Sequence, residues 1–435
     1  APYTVSLGHE KVYAVASSYR CDGMPIGAVT YGNTPSSAPI PAHQHENGFC
    51  TVCGKMDMDY LKPDAEGWFE LKNGHELAWW SQYAASVDLG AKARLTADIE
   101  MDDADNEHYA TIGEELAPFY GSLDGQFHRI SNLHINRPEQ LGVGLIASMN
   151  SEPKNLGDDG AARAKDPIFI RDLILDKSCS ITGKGYVGLI GMTAPWAGNV
   201  LVQNVGMEGD VTATAAANAG GVLGCVMSST CKITIDNSFM SGDIYGVNEN
   251  GSFSGWLGSY ATVSNCYALG TVEHPDGDKE DTDRYFARYG TAEIRNCFAL
   301  HGGELKQDIN GTSTVVVAKV TEDDVLSGAL AYRANGNTSV SPKWYQNLEN
   351  DLDEHPMPVP THGVVFKLTE TYKSAANEVE LADVISAIRD EASVYSEETM
   401  AEQAVKDAYT DAANAMEDMT SIPDAANAYM EVLKK

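Results

Sequence analysis

Gly188-Leu189-Ile190-Gly191 and Gly221-Val222-Leu223-Gly224, thirty-three residues apart, decide how this chain folds. Gly144-Leu145-Ile146-Ala147 precedes them and Gly255-Trp256-Leu257-Gly258 follows. A second signature is interleaved: Ile130-Ser131-Asn132-Leu133, Ile170-Arg171-Asp172-Leu173, Val202-Gln203-Asn204-Val205, Ile235-Asp236-Asn237-Ser238, Val263-Ser264-Asn265-Cys266 and Ile294-Arg295-Asn296-Cys297. Two motifs returning together every roughly 30 to 45 residues mark an array of stacked units. Between them lie short alternating runs such as Lys232-Ile233-Thr234-Ile235 and Asp243-Ile244-Tyr245, bounded by Gly, Asn and Ser, which is strand chemistry. A coil of short strands cannot bury its apolar face alone, so the expected fold is mainly β, a parallel, right-handed β-helix. A β-propeller would need longer strands joined by hairpins within each unit. In this reading each turn Asn bonds backbone or the Asn one rung away, and the glycines supply the positive φ of the corners.

The repeat resembles the GLUG motif of secreted and surface-displayed bacterial proteins. The likeness runs from about Gly67 to Cys297, through Asn73-Gly74-His75-Glu76-Leu77, Arg94-Leu95-Thr96-Ala97-Asp98-Ile99 and Gly121-Ser122-Leu123-Asp124-Gly125-Gln126. It implies an adhesin-like protein or a companion of protease domains, and brings no catalytic residue with it. Ala147 departs from the pattern, and Tyr285 to Gly290 lacks a clear copy.

Of 435 residues, 62 are acidic and 30 are Lys or Arg, a formal net charge of -32. Such a surface repels nucleic-acid phosphates and anionic membranes and favours divalent cations. No apolar run reaches the length of a spanning helix, so direct membrane insertion is not expected. Ala1-Pro2-Tyr3-Thr4-Val5 reads as a mature start, any signal peptide having been removed or left out.

His43-Gln44-His45-Glu46-Asn47-Gly48-Phe49-Cys50-Thr51-Val52-Cys53-Gly54 carries half of a zinc knuckle: a CxxCG turn lets two thiolates share an ion while backbone amides after the first Cys stabilise the charge. It is similar to short His...Gly-X-Cys-Thr-X-Cys-Gly modules in surface proteins of gut bacteria. On that resemblance His43 and Cys21 complete a structural zinc set with Cys50 and Cys53. A Cys50-Cys53 disulfide or free thiols are the alternatives, and His45 is a substitute ligand. Cys266 and Cys297, each following a ladder Asn, read as buried free thiols; Cys225 and Cys231 flank a loop short enough for a disulfide.

Asn73 to Ala84 reads as a capped helix closing the bottom of the array, with Trp79 and Trp80 as an apolar plug rather than sugar platforms. The run Asp98, Glu100, Asp102, Asp103, Asp105 and Glu107 reads as a solvated loop or a calcium site. Aligning the turn Asn residues stacks Asp210 on Asp243, about 4.8 Å apart at strand level, with Asp236 and Glu208 on neighbouring turns. Paired carboxyls suit a retaining glycosidase, their repulsion raising one pKa; Lys232 and Tyr245 would have to converge for a lyase. The bland reading is a surface ladder, bridged by calcium or not. The acidic stretch His274 to Asp283 is an insertion between units.

After Cys297 the repeat fades. Val315 to Val320 reads as a strand, Val325 to Tyr332 as a short helix, and Trp344 to Phe366 as a terminal cap. From Thr369 three amphipathic helices are expected, starting near Leu381, Ser396 and Pro423, a small bundle loosely resembling FIVAR-type modules. The expected domains are 1–62, a Cys/His module; 63–312, the β-helix with its helical cap; 313–368, the second cap; and 369–435, the three-helix bundle. No Ser-His-Asp, HExxH, P-loop or dinucleotide fingerprint occurs. The function expected is that of an extracellular bacterial surface or secreted protein in adhesion or glycan binding, with host or plant glycans or glycoproteins as partners. The alternative is a glycoside hydrolase or polysaccharide lyase using Asp210, Asp243 and Asp236.

Overall fold

The computed structural model describes residues 4–7, 10–15, 18–26, 30–32, 40–151, 167–273 (without 217, 229, 248 and 259), 285–289, 292–301, 304–307, 315–368 (without 340, 350 and 351), 371–375, 386, 389 and 400–416. Its centre is a parallel β-helix with three sheets. The first climbs through Trp68–Leu71, Lys92–Leu95, Leu123–Ser131, Ile168–Leu175, Gly198–Met207, Cys231–Asp236, Ala261–Ser264, Glu293–Ala299 and Val315–Lys319. The second holds His134–Val143, Ser180–Val187, Asp210–Ala213, Ile244–Gly246 and Val272–Glu273. The third holds Ile146–Met149, Ile190–Thr193, Leu223–Cys225, Ser254–Leu257, Tyr285–Tyr289 and Glu304–Gln307. Every pairing within these sheets is parallel, and the inward residues of each strand, such as Ile181, Val211 and Ile244, are fully buried or nearly so.

The corner ladder is real, but its residues divide the labour differently from the sequence reading. Asp172, Asn204, Asn237, Asn265 and Asn296 themselves adopt positive φ, between 48° and 55°. Asn tolerates this left-handed region better than other side chains, and here each also bonds its neighbours. Asn204 Nδ2 donates to Asp172 Oδ1 at 2.5 Å, Asn237 to Asn204 at 2.7 Å, and Asn296 to Asn265 at 2.8 Å. Asn265 turns instead to Asp236 Oδ1 at 2.8 Å. The motif glycines are needed for closeness rather than for φ. A Cβ on Gly188 would lie 2.5 Å from the carbonyl oxygen of Gly220, and one on Gly224 would lie 2.4 Å from that of Gly191.

Register corrects two units. Leu223 pairs with Ser254 and Ser254 with Ala287, so the fourth copy is Ser252-Phe253-Ser254-Gly255, three residues before the one read from Gly255 to Gly258. The fifth is Tyr285-Phe286-Ala287-Arg288. The buried column is therefore Leu145, Leu189, Val222, Phe253 and Phe286, the two rings stacked with centroids 4.8 Å apart. Likewise Ile170 pairs with Leu123, not Ile130, so Asn132 stands outside the Asn column; its Nδ2 reaches Glu100.

The outside of the first sheet carries a ladder that the unaligned sequence hides. Successive partners are Glu70, Arg94, Asp124, Arg171, Gln203, Asp236, Ser264 and Arg295. Arg94 pairs with Glu70 at 2.7 Å and Asp64 at 2.8 Å, and Arg171 with Asp124 at 2.6 Å. Opposite charges on adjacent rungs favour this register over a slipped one.

Helix Gly74–Ser86 starts as the sequence predicts, with Asn73 Oδ1 accepting the Glu76 N–H at 3.0 Å. It buries Leu77, Trp79, Trp80 and Ala84 completely in the same core as the coils, so both tryptophans are plug. At the other end the structure departs from a simple terminal cap. The segment after Lys319 turns back and descends along the flank: Asn296 Nδ2 donates to the Ala334 carbonyl, Trp344 Nε1 to that of Asn265, and Asn237 Nδ2 to that of Lys343. Glu354 then meets Lys177 at 3.1 Å. This strap covers an outward column of Ile174, Gly206, Phe239, Tyr267 and Phe298, forming a second core with Trp344, Leu330 and Val365. Apolar residues on the outer face explain the path, because leaving that stripe in water would cost burial free energy. Short helices Glu322–Leu326 and Ala329–Ala334 and the hairpin Val364–Leu368 with Thr371–Ala375 complete it.

In the tail, helix Met400–Met416 matches the second expected helix. The third, the acidic insertion His274–Asp283, and all of the first except residues 386 and 389, which are helical, lie outside the described residues.

Candidate functional site

The four ligands expected for zinc come together. Cys21 Sγ lies 3.4 Å from both Cys50 Sγ and Cys53 Sγ, and Cys53 Sγ lies 3.4 Å from His43 Nδ1. All four donor atoms lie within 4.8 Å of one another. A tetrahedron with thiolate–metal bonds of about 2.3 Å has edges of roughly 3.8 Å, so the set closes on one ion after small adjustments. Burial pushes the Cys50 thiol up, but backbone N–H groups of Val52 and Cys53, the His43 ring and the Gln44 N–H outweigh it and bring Cys50 down to about 5. Burial and hydrogen bonds to Cys50 and Cys53 push Cys21 up to about 12. The cluster could hold a metal ion, and with three sulfurs and one imidazole it has no vacant protein position for catalysis. His45, the substitute ligand, stands beside the set, stacked on His43 at 5.6 Å.

The knuckle is built onto the base of the β-helix. Phe49 is buried and stacked on His108, centroids 4.0 Å apart. Gly48, at φ +85°, fits where a Cβ would strike Tyr60 and Trp79. Trp79 Nε1 donates to the Asp57 carbonyl at 2.7 Å.

Asp210 and Asp243 occupy adjacent rungs at the start of the second sheet, as the alignment predicts. Asp210 Oδ1 accepts the backbone N–H of Asp243 at 3.0 Å; Asp243 Oδ1 accepts Thr271 N–H at 2.7 Å and its hydroxyl at 2.8 Å. One oxygen of each acid therefore holds the next coil in place. Tyr245 stands close enough that its phenol is pushed up, first by burial and then by the charges of Asp243, Asp210 and Glu273. Asp236 belongs to another face: Lys343 Nζ bonds its Oδ2, and Ser264 and Asn265 bond its Oδ1, each at 2.8 Å. Burial alone would raise this carboxyl, yet Lys343 and these hydrogen bonds hold it below its usual range. Glu208 is on the strap side, paired with Arg129 and 3.8 Å from His355 Nε2. Lys232 lies on the first sheet and Tyr245 on the second.

The acidic run after Ile99 folds into helix Asp103–His108, where Asp102 and Asp105 form a capping box and Asp105 also binds His75. Their donor atoms and that of His75 lie within 4.8 Å. The histidine, thirty residues upstream of Asp105, is the partner the sequence reading missed, and the nitrogen donor suits calcium less than an all-oxygen set would. Cys179, Cys225, Cys231, Cys266 and Cys297 are buried free thiols, Cys225 and Cys231 unjoined. Burial pushes Cys179 and Cys225 up to about 12 and Cys231 to about 11, and raises Cys266 well above the ordinary thiol range, which makes these four poor nucleophiles.

No family model matches the chain. It is 31% identical over 197 residues to halomucin of Haloquadratum walsbyi, a match that spans 43% of this chain and only 2% of that relative. Among solved structures it is similar to the crystal structure of a "putative immunoglobulin A1 protease" from Bacteroides ovatus, with 17% identity, 68% of this chain and 93% of that one covered, and a TM-score of 0.44. That likeness is too distant to inform activity. Among the described residues no helix is long and apolar enough to cross a membrane.

Proposed function

We propose that this chain is an extracellular β-helix protein of a bacterium, displayed or secreted, that binds host or plant glycans in adhesion. We further propose that Cys21, His43, Cys50 and Cys53 hold a structural zinc ion, which would tie the N-terminal module to the base of the coils. The observation that carries the non-catalytic reading is the use made of the acids. Asp210 and Asp243 each commit an oxygen to the backbone one rung on, and Asp236, on a different sheet, is tied to Lys343. A hydrolase needs its two carboxyls free to face one bond. The strong negative charge and the likeness to a small part of halomucin, a far longer chain, support the same reading. Purified protein on a glycan array and on mucin is expected to give saturable binding, while a panel of gut and plant polysaccharides stays uncleaved. Cleavage that disappears in Asp210→Asn and Asp243→Asn would replace this reading with a glycosidase or lyase.

A further inference from the structure

Cys266 and Cys297 stand one above the other inside the β-helix. Ser264 pairs with Arg295 and Tyr267 with Phe298, the same offset on either side, so the two cysteines fill the same place on successive coils. They continue an inward column that runs Leu173, Val205, Ser238, Cys266 and Cys297, every member fully buried. The structure holds both as thiols. Cys266 Sγ donates to the Ser264 carbonyl at 3.1 Å and Cys297 Sγ to that of Arg295 at 3.3 Å, and the two thiols are hydrogen-bond neighbours of each other.

Neighbouring strands lie about 4.8 Å apart, inside the roughly 4.4–6.8 Å span that Cα atoms keep across a disulfide. Side chains that point the same way start with their Cβ atoms about as far apart, a few tenths of an ångström more than a disulfide prefers, so the two coils need only draw slightly together. Joining the sulfurs orphans no buried acceptor. The Ser264 carbonyl still takes the Asn237 N–H at 3.0 Å, and the Arg295 carbonyl takes the Asn265 N–H at 3.1 Å.

We propose that Cys266 and Cys297 are a modification site, joined by a disulfide when the chain folds in oxidising surroundings. The proposal rests on the extracellular reading only for those surroundings. Both sulfurs are shut off from solvent in the finished coil, so the exchange belongs to the folding chain. One cysteine thiolate attacks a disulfide reagent, either a thiol–disulfide oxidoreductase or a small disulfide, and one reagent thiol leaves. The second thiolate attacks the chain's sulfur in the mixed disulfide, the S–S bond forms, and the other reagent thiol leaves. Two protons and two electrons pass from the cysteines to the reagent. The link encloses residues 267–296, the acidic insertion 274–283 among them, and fastens together the two coils on which the strap is seated through Asn265 and Asn296.

The test produces the full chain twice, in the oxidising periplasm and in the reducing cytoplasm of a bacterial expression host, with circular dichroism to check that both samples are folded. Each is unfolded with iodoacetamide and no reductant, digested, and read by mass spectrometry. The periplasmic sample is expected to give a peptide pair linked through Cys266 and Cys297, and the cytoplasmic sample to give both residues alkylated. The linked protein should unfold at a midpoint at least about 3 °C higher, as closing a loop of roughly 30 residues requires. In Cys266→Ser with Cys297→Ser, a residue the column already accepts at Ser238, the two midpoints should coincide. Both cysteines alkylated in the periplasmic sample, or either linked elsewhere, overturns the proposal; because the host sets the redox conditions, that failure leaves the extracellular reading standing. A midpoint difference that persists in the double variant overturns it as well, by placing the effect in other thiols.

Discussion

Gly224→Ala puts the reason for the repeat glycines to a direct test. The added Cβ would lie 2.4 Å from the Gly191 oxygen and 2.6 Å from Tyr186 C and Val187 N, about 1 Å short of ordinary van der Waals contact. All three atoms are backbone of the preceding coil, so no side chain can swing away. Relief requires the two coils to part locally, across bonds such as Leu189 N–H to Gly221 O at 2.9 Å and Ile190 N–H to Val222 O at 3.0 Å. Parting by even half the shortfall weakens both, since such bonds fade beyond about 3.2 Å. Overpacking of about 1–3 kcal/mol plus one weakened pair of bonds gives a loss of about 2–4 kcal/mol. Thermal unfolding followed by far-ultraviolet circular dichroism should show a midpoint about 5–10 °C lower. Gly336→Ala is the comparison, because Gly336 has φ +76° and open space around it; only conformational strain of about 1–2 kcal/mol is expected there. A Gly224→Ala midpoint equal to wild type would refute close approach as the reason for the glycine.

Three further outcomes follow from the geometry. Trp344→Ala empties a fully buried site against Phe239 and Tyr267 and should cost about 3–5 kcal/mol, confined to the strap; proteolysis between 320 and 375 should accelerate while coil amides stay protected, and uniform loss of protection would contradict two separate cores. Cys50→Ser should reduce bound metal from about one ion per chain to a small fraction and shift tryptophan emission through Trp79, measured by elemental analysis and fluorescence; unchanged metal content would remove this ligand set. Burial holds the His355 imidazole below its ordinary 6.5, partly offset by Glu208, Asp353 and Glu354, so the folded state favours the neutral ring. Its contribution is whole above the unfolded pKa and declines as pH falls through about 6.5, so hydrogen exchange in the strap should quicken on acidification in wild type and less in His355→Asn; equal acid sensitivity would place the effect elsewhere.

The coils were legible because alternation, turn residues and spacing agree: Ile233, Ile235 and Ile244 face inward, and Asn204 and Asn237 bond one another from rung to rung, as read, although the corner φ belongs to the Asn residues and not to the glycines. Register was less legible. At Ser252-Phe253-Ser254-Gly255 the interior needs a large apolar residue with a small one after it, a requirement that Gly-Val-Leu-Gly and Ser-Phe-Ser-Gly both meet with different letters. The Cys/His set was legible in Cys50 and Cys53 from local spacing, whereas Cys21 and His43 had to come from resemblance. The charge ladder and the strap were hidden for a common reason. Arg94 and Asp124, or Trp344 and Asn265, are joined only through the stacked fold, and nothing periodic in the sequence links them.

The strap alters how the array would answer to tension. In a stack held only between neighbours, a pull at one end peels coils singly. Here a force drawn through the residues after 375 reaches the hairpin and the Trp344 region first, and that segment is laid backward over five successive turns. It must slide or tear from the flank before any coil can unwind, so the molecule carries an extensible fuse beside a stiff rod. Single-molecule stretching should show one short early lengthening ahead of the stepwise uncoiling, and Trp344→Ala should lower the force of that first event alone.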